Sequence, residues 1–526
     1  MPYAHPVLSC ENAMQYESSV LTDETAEWTA MQKAGRGIAG GIVQDYQELR
    51  PLPDHLRILA LVGKGHNGGD ALIACGELLA RFPRARVDLV LAGSADDFKP
   101  LTVRALQGLE GRVKQHLFEA ESVEQARELL DTISEGQGFQ LCLDGLLGMN
   151  FHPPLRSPLD RLIEAVNSYD LIDLRAAVDL PTGVGDEPGE LKFNADFCYA
   201  TGIAKKPIFE GIADCGRVRY IDLGFFEGGA AKALDEPESV LMPQVLSPLI
   251  KLRPADVDKR EFGHLFIVGG SAYMPGALLM SVQAAVRSGV GLVTAFAPQS
   301  VASSLAAQVP EAMWVPWPET SNGTLDPRAM PLLLDRIGGA SALIIGPGLG
   351  LDRNTERLAV EVVSKVELPV VFDGDGLRSR VVEVAQKRKK IFGEIVITPH
   401  MGEFMRVAKI SEPDYASETL LKFSEIYKVI TVLKGANTRI CDGDSILYNT
   451  TGGPMLSRGG SGDLLAGLIG GMVAQNNTDV RSAVARGVML HGLAAQRLAR
   501  AKGQVMVHTT QLLDYLPDVL RSTDVN

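Results

Sequence analysis

A glycine-rich turn followed by a long apolar run is the part of this sequence that points most directly to chemistry. The turn consists of Gly459, Gly460, Ser461, Gly462 and Asp463, and the apolar run is Leu464–Val473. Glycines let the backbone expose its amide hydrogens, and the apolar run predicts a buried helix that begins where the glycines end. Unpaired amides and the positive end of the helix dipole form an anion site. We expect Asp463 to stay ionised there and to accept a proton, as phosphoryl transfer to a hydroxyl requires.

The alternative interpretation of this turn is structural. A lone Gly-Gly-Ser-Gly-Asp segment would serve as a turn between packed elements, with Asp463 as a helix N-cap. The segment nevertheless resembles the phosphate-binding signature of the ribokinase-like superfamily, in which the glycines form the anion hole and the aspartate is the base. The rest of the sequence has to decide between the two interpretations.

Composition bounds the class of protein. The 526 residues exceed what one core usually holds, so two or more domains are expected. A net charge of -13 without a Lys/Arg block argues against a nucleic-acid partner. The N-terminus lacks the features of a signal peptide, and no apolar run is long enough for a membrane span, so we expect a cytoplasmic protein with no membrane partner. The six cysteines form no C-x-x-C pair, which favours reduced, buried thiols.

Strands alternate with helices in the first half of the chain. Helices are predicted over 22–46 and 71–81. Strands are predicted over Arg57–Val62, Arg86–Ala92 and Arg175–Asp179, and a further strand ends at Gly145. This alternation predicts an α/β fold with a parallel sheet. The turn after the first strand spells G-x-G-x-x-G, but it lacks the acidic residue of a dinucleotide fingerprint and the Lys-Ser/Thr of a Walker A motif.

Polar residues follow the carboxyl ends of these strands, where open α/β sheets bind ligands. They are Asn67, Asp70, Asp144, Asp179 and Thr182. Oxygen-rich side chains that meet at one edge could hold a hard cation. They could equally cap the turns in which they lie, and the residues alone leave both interpretations open.

Three segments resemble the motifs of the YjeF N-terminal domain, the NAD(P)H-hydrate epimerase, over residues 1–230. They are GHNGGD (65–70), DGLLG (144–148) and VDLPTGV (178–184). The resemblance implies a Rossmann-like αβα sandwich and a K⁺ held by Asn67, Asp144 and Thr182. It implies substrate contacts from His66, Asn67, Gly68, Gly69, Asp70, Gly148 and Asp179. Asp179 would be the acid/base, and Lys205 falls where the family has a lysine after its last strand.

This half departs from the family pattern at several positions. His66, Ala71, Asn150 and Thr182 stand where the family has asparagine, glycine, a Gly-Thr-Gly-Leu loop and serine. Threonine keeps the hydroxyl, whereas histidine is bulkier and titrates near neutral pH. A first domain that has lost catalysis and keeps only the ligand fold therefore stays an alternative.

A segment of mixed glycine, proline and acidic residues, Leu223–Pro248, predicts the inter-domain linker. Beyond it, predicted strands end in glycine or polar residues again and again: GGS (269–271), GPGLG (346–350), DGD (373–375), TPHMGE (398–403) and KGANT (434–438). In this order the motifs resemble the YjeF C-terminal domain, the ADP/ATP-dependent NAD(P)H-hydrate dehydratase of the ribokinase-like fold, over residues 240–526.

This second resemblance implies a site residue by residue. Substrate contacts would come from Ala277, Gly348, His400 and Asp463, with Asp463 as the base. Nucleotide contacts would come from Lys434, Gly435, Ala436, Asn437, Thr438, Gly459, Gly460, Ser461 and Gly462. His264 and His491 are interpreted as structural.

Together the resemblances imply repair of hydrated NADH and NADPH. The first domain would interconvert the R and S hydrates, and the second would dehydrate the S hydrate with ADP or ATP and Mg²⁺, in a homo-oligomer. A ribokinase-like small-molecule kinase is the alternative from another class. Phosphorylation of a vitamin or sugar alcohol would favour this alternative.

Overall fold

The computed structural model describes residues 4–227, 234, 236–389, 391–476 and 478–522. The chain divides into two compact units, the first from residue 5 to residue 236 and the second from residue 237 onward. Each unit combines a largely parallel sheet with helices, which confirms the predicted α/β class. No helix in the described part of the chain is long and apolar enough to cross a membrane.

The first unit contains nine strands and eight helices in its described residues. The strands are β1 (Ala4–Leu8), β2 (Arg57–Val62), β3 (Arg86–Leu91), β4 (Lys114–Leu117), β5 (Phe139–Gly145), β6 (Ile172–Val178), β7 (Phe197–Thr201), β8 (Ala204–Lys205) and β9 (Arg217–Ile221). The helices are α1 (Cys10–Val20), α2 (Glu24–Tyr46), α3 (His66–Arg81), α4 (Pro100–Gln107), α5 (Val123–Ser134), α6 (Leu159–Asn167), α7 (Pro207–Glu210) and α8 (Ile212–Cys215).

Seven of these strands form a parallel sheet in the order β4-β3-β2-β5-β6-β7-β9, and β1 pairs with β8. The direction in which strands are added reverses between β2 and β5, since β3 and β4 lie on one side and β6 and β7 on the other. The loops after β2 and β5 therefore leave a crevice between them, which is where doubly wound folds bind ligands. The predicted motifs at 65–70 and 144–148 are these two loops.

Two helix boundaries in this unit differ from the predictions. The helix predicted over 22–46 is α2, which begins at Glu24 because the Asp23 side chain caps it by accepting a hydrogen bond from the Ala26 amide (2.9 Å); the preceding helix α1 was not predicted. The helix predicted from Ala71 begins at His66. A Cβ on Gly68 would lie 2.1 Å from the Gly63 carbonyl oxygen, so this glycine permits close packing of the first turn.

The second unit contains ten strands and ten helices in its described residues. The strands are β10 (Glu238–Leu241), β11 (His264–Val268), β12 (Leu292–Pro298), β13 (Met313–Trp317), β14 (Ala342–Ile345), β15 (Val370–Phe372), β16 (Ile395–Ile397), β17 (Val429–Leu433), β18 (Thr438–Cys441) and β19 (Ile446–Asn449). The helices are α9 (Pro275–Arg287), α10 (Ala302–Ala306), α11 (Pro331–Leu334), α12 (Arg353–Lys365), α13 (Ser379–Ala385), α14 (Met401–Ala408), α15 (Ser417–Tyr427), α16 (Ser461–Gln475), α17 (Val480–Lys502) and α18 (Leu516–Leu520).

The strands of the second unit follow the order β13-β12-β11-β14-β15-β16-β17-β18-β19-β10. The strands from β13 to β17 in this order pair in parallel, so their carboxyl ends meet at one edge of the sheet. β18 runs antiparallel to both of its neighbours. The motifs predicted at strand ends thus lie side by side.

Helix α16 is the buried helix that the apolar run predicted. Its residues from Leu464 to Ala474 are buried, and it packs between α9 and α17. A Cβ on Gly467 would lie 2.2 Å from the Ser281 carbonyl oxygen, so α16 and α9 approach at close range. This packing fixes the start of α16 against the sheet.

The predicted linker Leu223–Pro248 is too long. Phe225 and Phe226 pack in the core of the first unit, while β10 and a 3-10 helix over Pro243–Ile250 bury Val245 and other apolar side chains in the second unit. The apolar residues at both ends of the predicted linker therefore belong to the folded units, although acidic residues and glycines lie between them. Residues 228–233 and 235, in the middle of the predicted linker, lie outside the described residues.

Candidate active sites

The crevice of the first unit opens into a cavity of about 760 Å³. Predicted site residues that line it are His66, Asn67, Asp70, Gly148 and Asp179. Gly68 and Gly69 are instead buried behind its wall, where a Cβ on Gly69 would lie 2.6 Å from the Met31 methyl carbon. These two glycines therefore shape the wall without lining the cavity.

The three predicted K⁺ ligands are linked by one chain of hydrogen bonds. The Thr182 hydroxyl donates to Asp144 Oδ1 (2.7 Å) and accepts from the Leu147 amide (3.2 Å), and Asn67 Nδ2 donates to the Leu147 carbonyl (2.9 Å). Asp144 Oδ1 also accepts from the Leu146 amide (3.3 Å), so it caps its turn as well. The turn-capping interpretation is thus correct for Asp144, and the cation site stays a prediction.

Asp144 is a buried carboxylate without a cationic neighbour. It is fully inaccessible to solvent, and no basic side chain in the described part of the chain forms an ion pair with it. Burial raises its pKa to about 6, against the lowering effect of its three hydrogen bonds. No group of three His, Cys, Asp or Glu side chains among the described residues could hold a metal. Carboxylate, hydroxyl and amide oxygens next to an uncompensated buried charge fit a weakly bound monovalent cation better than a tightly bound transition metal.

Asp179 and Lys205 form a buried ion pair beside the cavity. Lys205 Nζ donates to Asp179 Oδ1 at 2.5 Å, and the same oxygen accepts from the Thr201 amide and hydroxyl. Lys205 is completely buried, and its interaction with Asp179 raises its pKa against the opposing effect of burial. Asp179 adopts a left-handed backbone conformation with φ of 64°, a strain of the kind that gathers at functional sites.

Several cavity residues escaped the sequence analysis. Glu17, Glu27, Lys64 and Lys99 all line the cavity. His66 lies at its rim with Nε2 3.9 Å from Glu27 Oε2, and burial and Lys99 lower its pKa. The position of Glu17 could have been found from the spacing of Met14, Glu17 and Leu21 on a helix, but the predicted helix began only at residue 22.

The second unit brings three strand ends together around Lys434. Lys434 Nζ lies 3.2 Å from Asp373 Oδ1 and 3.8 Å from Glu403 Oε2. The Thr398 hydroxyl donates to the same Asp373 oxygen at 2.5 Å, and the backbone of Lys434 bridges to that of His400. These residues follow β15, β16 and β17, which are adjacent in the sheet. Motifs that are far apart in the sequence thus form one cluster in the structure.

Helix α16 begins at this cluster. Its N-cap, Gly460, has φ of 88°, a conformation that favours glycine, and α16 has no side-chain cap at this end. A Cβ on Gly462 would lie 3.2 Å from Lys434 Nζ, so the first turn of the helix faces the lysine. Ser461 instead turns inward, where its hydroxyl lies 3.4 Å from Nε2 of the buried His491. Backbone amides that no side chain caps, together with the neighbouring lysine, are suited to binding an anion.

Asp463 lies in the same first turn, and its ionisation differs from the prediction. Burial, followed by the neighbouring Asp373, raises its pKa to about 7, while Lys434 acts in the opposite direction. In contrast to the prediction, we therefore expect Asp463 to be only partly ionised at neutral pH, because burial and then the nearby Asp373 oppose its ionisation. A carboxyl group that titrates near neutral pH can both take and return a proton.

The predicted substrate residues of the second unit lie on neighbouring elements. Ala277 is on α9 and Gly348, with φ of 64°, follows β14; a Cβ on Gly348 would lie 3.0 Å from the Ala277 methyl carbon. α9 also contacts α16 through the Ser281 hydroxyl, which donates to the Asp463 carbonyl (2.9 Å). His400 is exposed and caps α14 by accepting from the Glu403 amide. Ala277 thus lies on the helix that contacts α16, and His400 caps the helix whose Glu403 acts on the charge of Asp463.

The predicted nucleotide loop, KGANT at 434–438, joins β17 to β18. Gly435 and Ala436 are exposed, whereas Asn437 is buried and its side-chain Nδ2 has no hydrogen-bond partner in the described part of the chain. A buried amide nitrogen without a partner costs free energy that a ligand oxygen could recover. The loop thus fits a polar ligand at this edge. His264 is structural, since its ring nitrogens lie 3.1 Å from the Gly339 carbonyl oxygen and 2.8 Å from the Thr294 hydroxyl.

Comparisons with known proteins agree with this division. Residues 265–518 match the family model for NAD(P)H-hydrate dehydratase, and residues 29–207 match the model for the YjeF-related protein N-terminus. A bifunctional NAD(P)H-hydrate repair enzyme from Moorella thermoacetica is 30% identical over 511 residues, covering 94% of this chain and 92% of the relative. One from Salinibacter ruber is 29% identical over 541 residues, covering 98% and 96%.

A solved structure of an ADP/ATP-dependent NAD(P)H-hydrate dehydratase from Bacillus subtilis, co-crystallised with ATP and Mg²⁺, is 28% identical, with a TM-score of 0.43, and the match covers 51% of this chain and 93% of that one. The sequence matches extend over both units and nearly the whole length of the relatives. The chain belongs to the family of bifunctional NAD(P)H-hydrate repair enzymes.

Proposed function

We propose that this chain repairs hydrated NADH and NADPH at two active sites, with the residues assigned below. The second unit dehydrates the S hydrate with ADP or ATP, and the first unit interconverts the R and S hydrates. The observation that carries the proposal is the position of Asp463, which lies at the uncapped end of α16 beside Lys434 and Asp373. A base, a cation and free amides are the groups that phosphoryl transfer to a hydroxyl needs.

In the second unit Asp463 takes the proton of the substrate hydroxyl. The nucleotide supplies the terminal phosphoryl group that makes this hydroxyl a better leaving group. Lys434 and the amides of Gly460 and Gly462 attract its phosphates, and Asn437 Nδ2 offers a free donor. Lys434 can move from Asp373 to a phosphate, because at 3.2 Å their contact is an ordinary ion pair.

Mg²⁺ would enter this site with the nucleotide. The described residues form no three-carboxylate site of their own, but Mg²⁺ is commonly held by one or two carboxylates and the substrate phosphates. Asp375 and Asp463 are carboxylates close enough to influence each other's charge. They are the residues we assign to Mg²⁺.

In the first unit Asp179 and Lys205 act on the hydrate that occupies the cavity. Inversion at the carbon that bears the hydroxyl breaks and remakes a bond, so a proton must leave and return. The ion pair holds Asp179 ionised and ready to accept it. Asn67, Asp144 and Thr182 would hold K⁺, which would balance the buried Asp144 charge and fix the loop at Gly148.

We assign the substrate contacts to residues that lie next to each site. His66, Asp70 and Gly148 face the cavity of the first unit. Ala277, Gly348 and His400 lie at the edge where Asp463 sits in the second. Assembly as a homo-oligomer and a cytoplasmic location stay predictions from the sequence.

The test uses an epimer mixture of NADPH hydrate, ADP, Mg²⁺, K⁺ and the full-length protein, and follows the absorbance of NADPH. Two working sites convert the whole mixture at enzymatic rates. A fast phase that stops when one epimer is exhausted would mean that the first unit does not catalyse epimerisation. If no NADPH forms and a vitamin or sugar alcohol is phosphorylated, the kinase alternative replaces the dehydratase.

A further inference from the structure

One wall of the first-unit cavity is formed by helix α1. Met14, Glu17, Ser18 and Leu21 line the cavity, at the i, i+3, i+4 and i+7 spacing that places side chains on one helical face. Cys10 and Ala13 are buried in the unit. Glu17 is the ionisable residue among these four cavity-lining residues.

The Glu17 carboxylate has no partner of its own. No hydrogen bond or ion pair to its side chain is present in the part of the chain that the structure describes, and the same is true of Asp70. The charges of the nearby Asp179 and Lys205 neutralise each other, since Lys205 Nζ lies 2.5 Å from Asp179 Oδ1. Glu17 and Asp70 are therefore carboxylates of this cavity to which no cationic side chain among the described residues is bonded.

Glu17 is nevertheless in electrostatic contact with the ion pair. Burial raises its pKa to about 7, with Lys205 lowering it and Asp179 raising it. Asp70 responds to the same groups: burial, Asp179 and Glu17 raise its pKa, and Lys205 lowers it. Glu17 and Asp70 therefore keep their protons to higher pH than ordinary carboxyl groups, whereas Asp179 is paired with Lys205.

We propose that Glu17 is a further catalytic residue of the epimerisation and the proton-transfer partner of the Asp179–Lys205 pair. The inference rests on the proposed epimerase function and adds a residue to its site. Inversion needs a base for the hydroxyl group and an acid for the ring nitrogen, both of which are bonded to the same carbon. Asp179 is the paired, ionised group, and Glu17 is the unpaired group that can carry the proton.

The step balances without any further reactant. Asp179 takes the hydroxyl proton as the carbonyl double bond forms and the bond from that carbon to the ring nitrogen breaks. The nitrogen keeps the electron pair of the broken bond and receives the proton of Glu17. After rotation, the nitrogen attacks the other face of the carbonyl, its proton returns to Glu17, and the oxygen takes back the proton from Asp179.

The experiment compares Glu17→Gln with the unaltered full-length protein in the epimer-mixture assay. Glutamine keeps the size and polarity of the side chain and removes the proton transfer. We expect the phase limited by epimerisation to slow by about 100-fold or more, with KM for the slow epimer almost unchanged and the dehydration phase unaffected. Glu17→Asp should recover part of the rate.

Glu11→Gln is the matched control, because Glu11 lies on the same helix but is exposed and does not line the cavity. Its epimerisation rate should equal that of the unaltered protein. The thermal unfolding midpoint of Glu17→Gln should stay the same or rise, since an unpaired carboxylate has been replaced by a neutral amide.

Three results would overturn the proposal for Glu17. They are an undiminished epimerisation rate, a rise in KM with unchanged kcat, and a loss of rate accompanied by a lower unfolding midpoint. Failure of the proposed function gives a different result, because the unaltered protein itself would then show no catalysed epimerisation.

Discussion

The two sites hold their central aspartates in opposite ways. Asp179 ends a strand in a left-handed conformation, and one oxygen accepts bonds from Thr201 and the buried Lys205. Asp463 stands in the first turn of a helix, and its carboxylate has no hydrogen bond within the described residues. Its neighbour Lys434 is bonded to Asp373 instead. Asp179 is fixed in an ion pair, whereas Asp463 is free and burial raises its pKa to about 7.

This difference matches the chemistry proposed for each unit. A fixed, ionised carboxylate suits a reaction that takes and returns one proton in a closed cavity. A free carboxyl with a raised pKa suits a site where the substrate hydroxyl and a phosphate must be brought together first, because it can rotate toward either.

The largest effect should come from Asp463→Asn. Loss of the base should lower the rate of dehydration by about 100- to 10,000-fold, while the epimerisation by the first unit and the fold stay intact. The rate of NADPH formation with ADP measures it. Asp518→Asn, an exposed aspartate on α18, is the control and should keep full activity. Near-normal dehydration by Asp463→Asn would remove it from the mechanism.

A large loss of stability should follow Lys205→Met. The change leaves Asp179 buried without its counter-ion, and breaking such a pair costs about 3–5 kcal/mol. Chemical denaturation of the first unit measures the loss. Lys206→Met is the matched control, since that lysine is partly exposed and its contact with Glu236 at 3.3 Å is worth about 0–1 kcal/mol. Equal losses in the two variants would contradict the assigned role of the buried pair.

The pH dependence of dehydration should show the raised pKa of Asp463. The base form increases as pH rises through about 7, so kcat/KM should rise over the same range. Stability should change in the opposite direction. The folded carboxyl holds its proton above the pH at which the unfolded one loses it, so ionisation costs stability as pH rises from about 4 to 7.

Asp463→Asn removes this titration and so provides the control for stability. Its unfolding midpoint should exceed that of the unaltered protein more at pH 7 than at pH 4.5. The charged groups that act on Asp463, namely Asp373, Asp375, Glu403 and Lys434, all remain in the variant. A midpoint difference that is the same at both pH values would argue that Asp463 ionises normally.

The smallest effect should come from two neighbouring glycines. Gly460→Ala forces a side chain into a positive-φ conformation and places its Cβ 2.4 Å from Met280 Sδ, which should cost about 1–2 kcal/mol. Gly459→Ala meets no atom within 4 Å and should be almost neutral. Thermal unfolding of both variants measures the difference. Equal costs would show that the start of α16 is not held as described.

Strand ends were predictable from the sequence because each buried parallel strand is an apolar run that stops at a glycine or polar residue. Asp144, Asp179 and Lys434 were found in this way and lie where the runs predicted. The edge strand β4 was missed, since Lys114–Leu117 is largely exposed and carries no apolar run. The start of α3 was misjudged because its glycines serve packing against Gly63 and Met31.

Other features depend on residues that are distant in the chain. The pKa of Asp463 follows from burial and from Asp373, which is brought near by the pairing of β14 with β15 and the packing of α16 on the sheet. The role of Glu17 depends on α1 facing a cavity whose other walls come from loops at 63–67 and 146–150. A sequence pattern gives the elements, but such proximity appears only in the assembled fold.

The central claim is that one chain carries two independent sites, and complementation tests it most directly. Asp179→Asn keeps a residue that tolerates the left-handed conformation and should convert only the directly usable epimer quickly. Asp463→Asn should form almost no NADPH. Mixed in one tube with ADP and the epimer mixture, the two proteins should convert all of it without a slow second phase, since distant sites act additively. A mixture that still stops at one epimer, or an Asp179→Asn protein that converts everything in one fast phase, would contradict the claim.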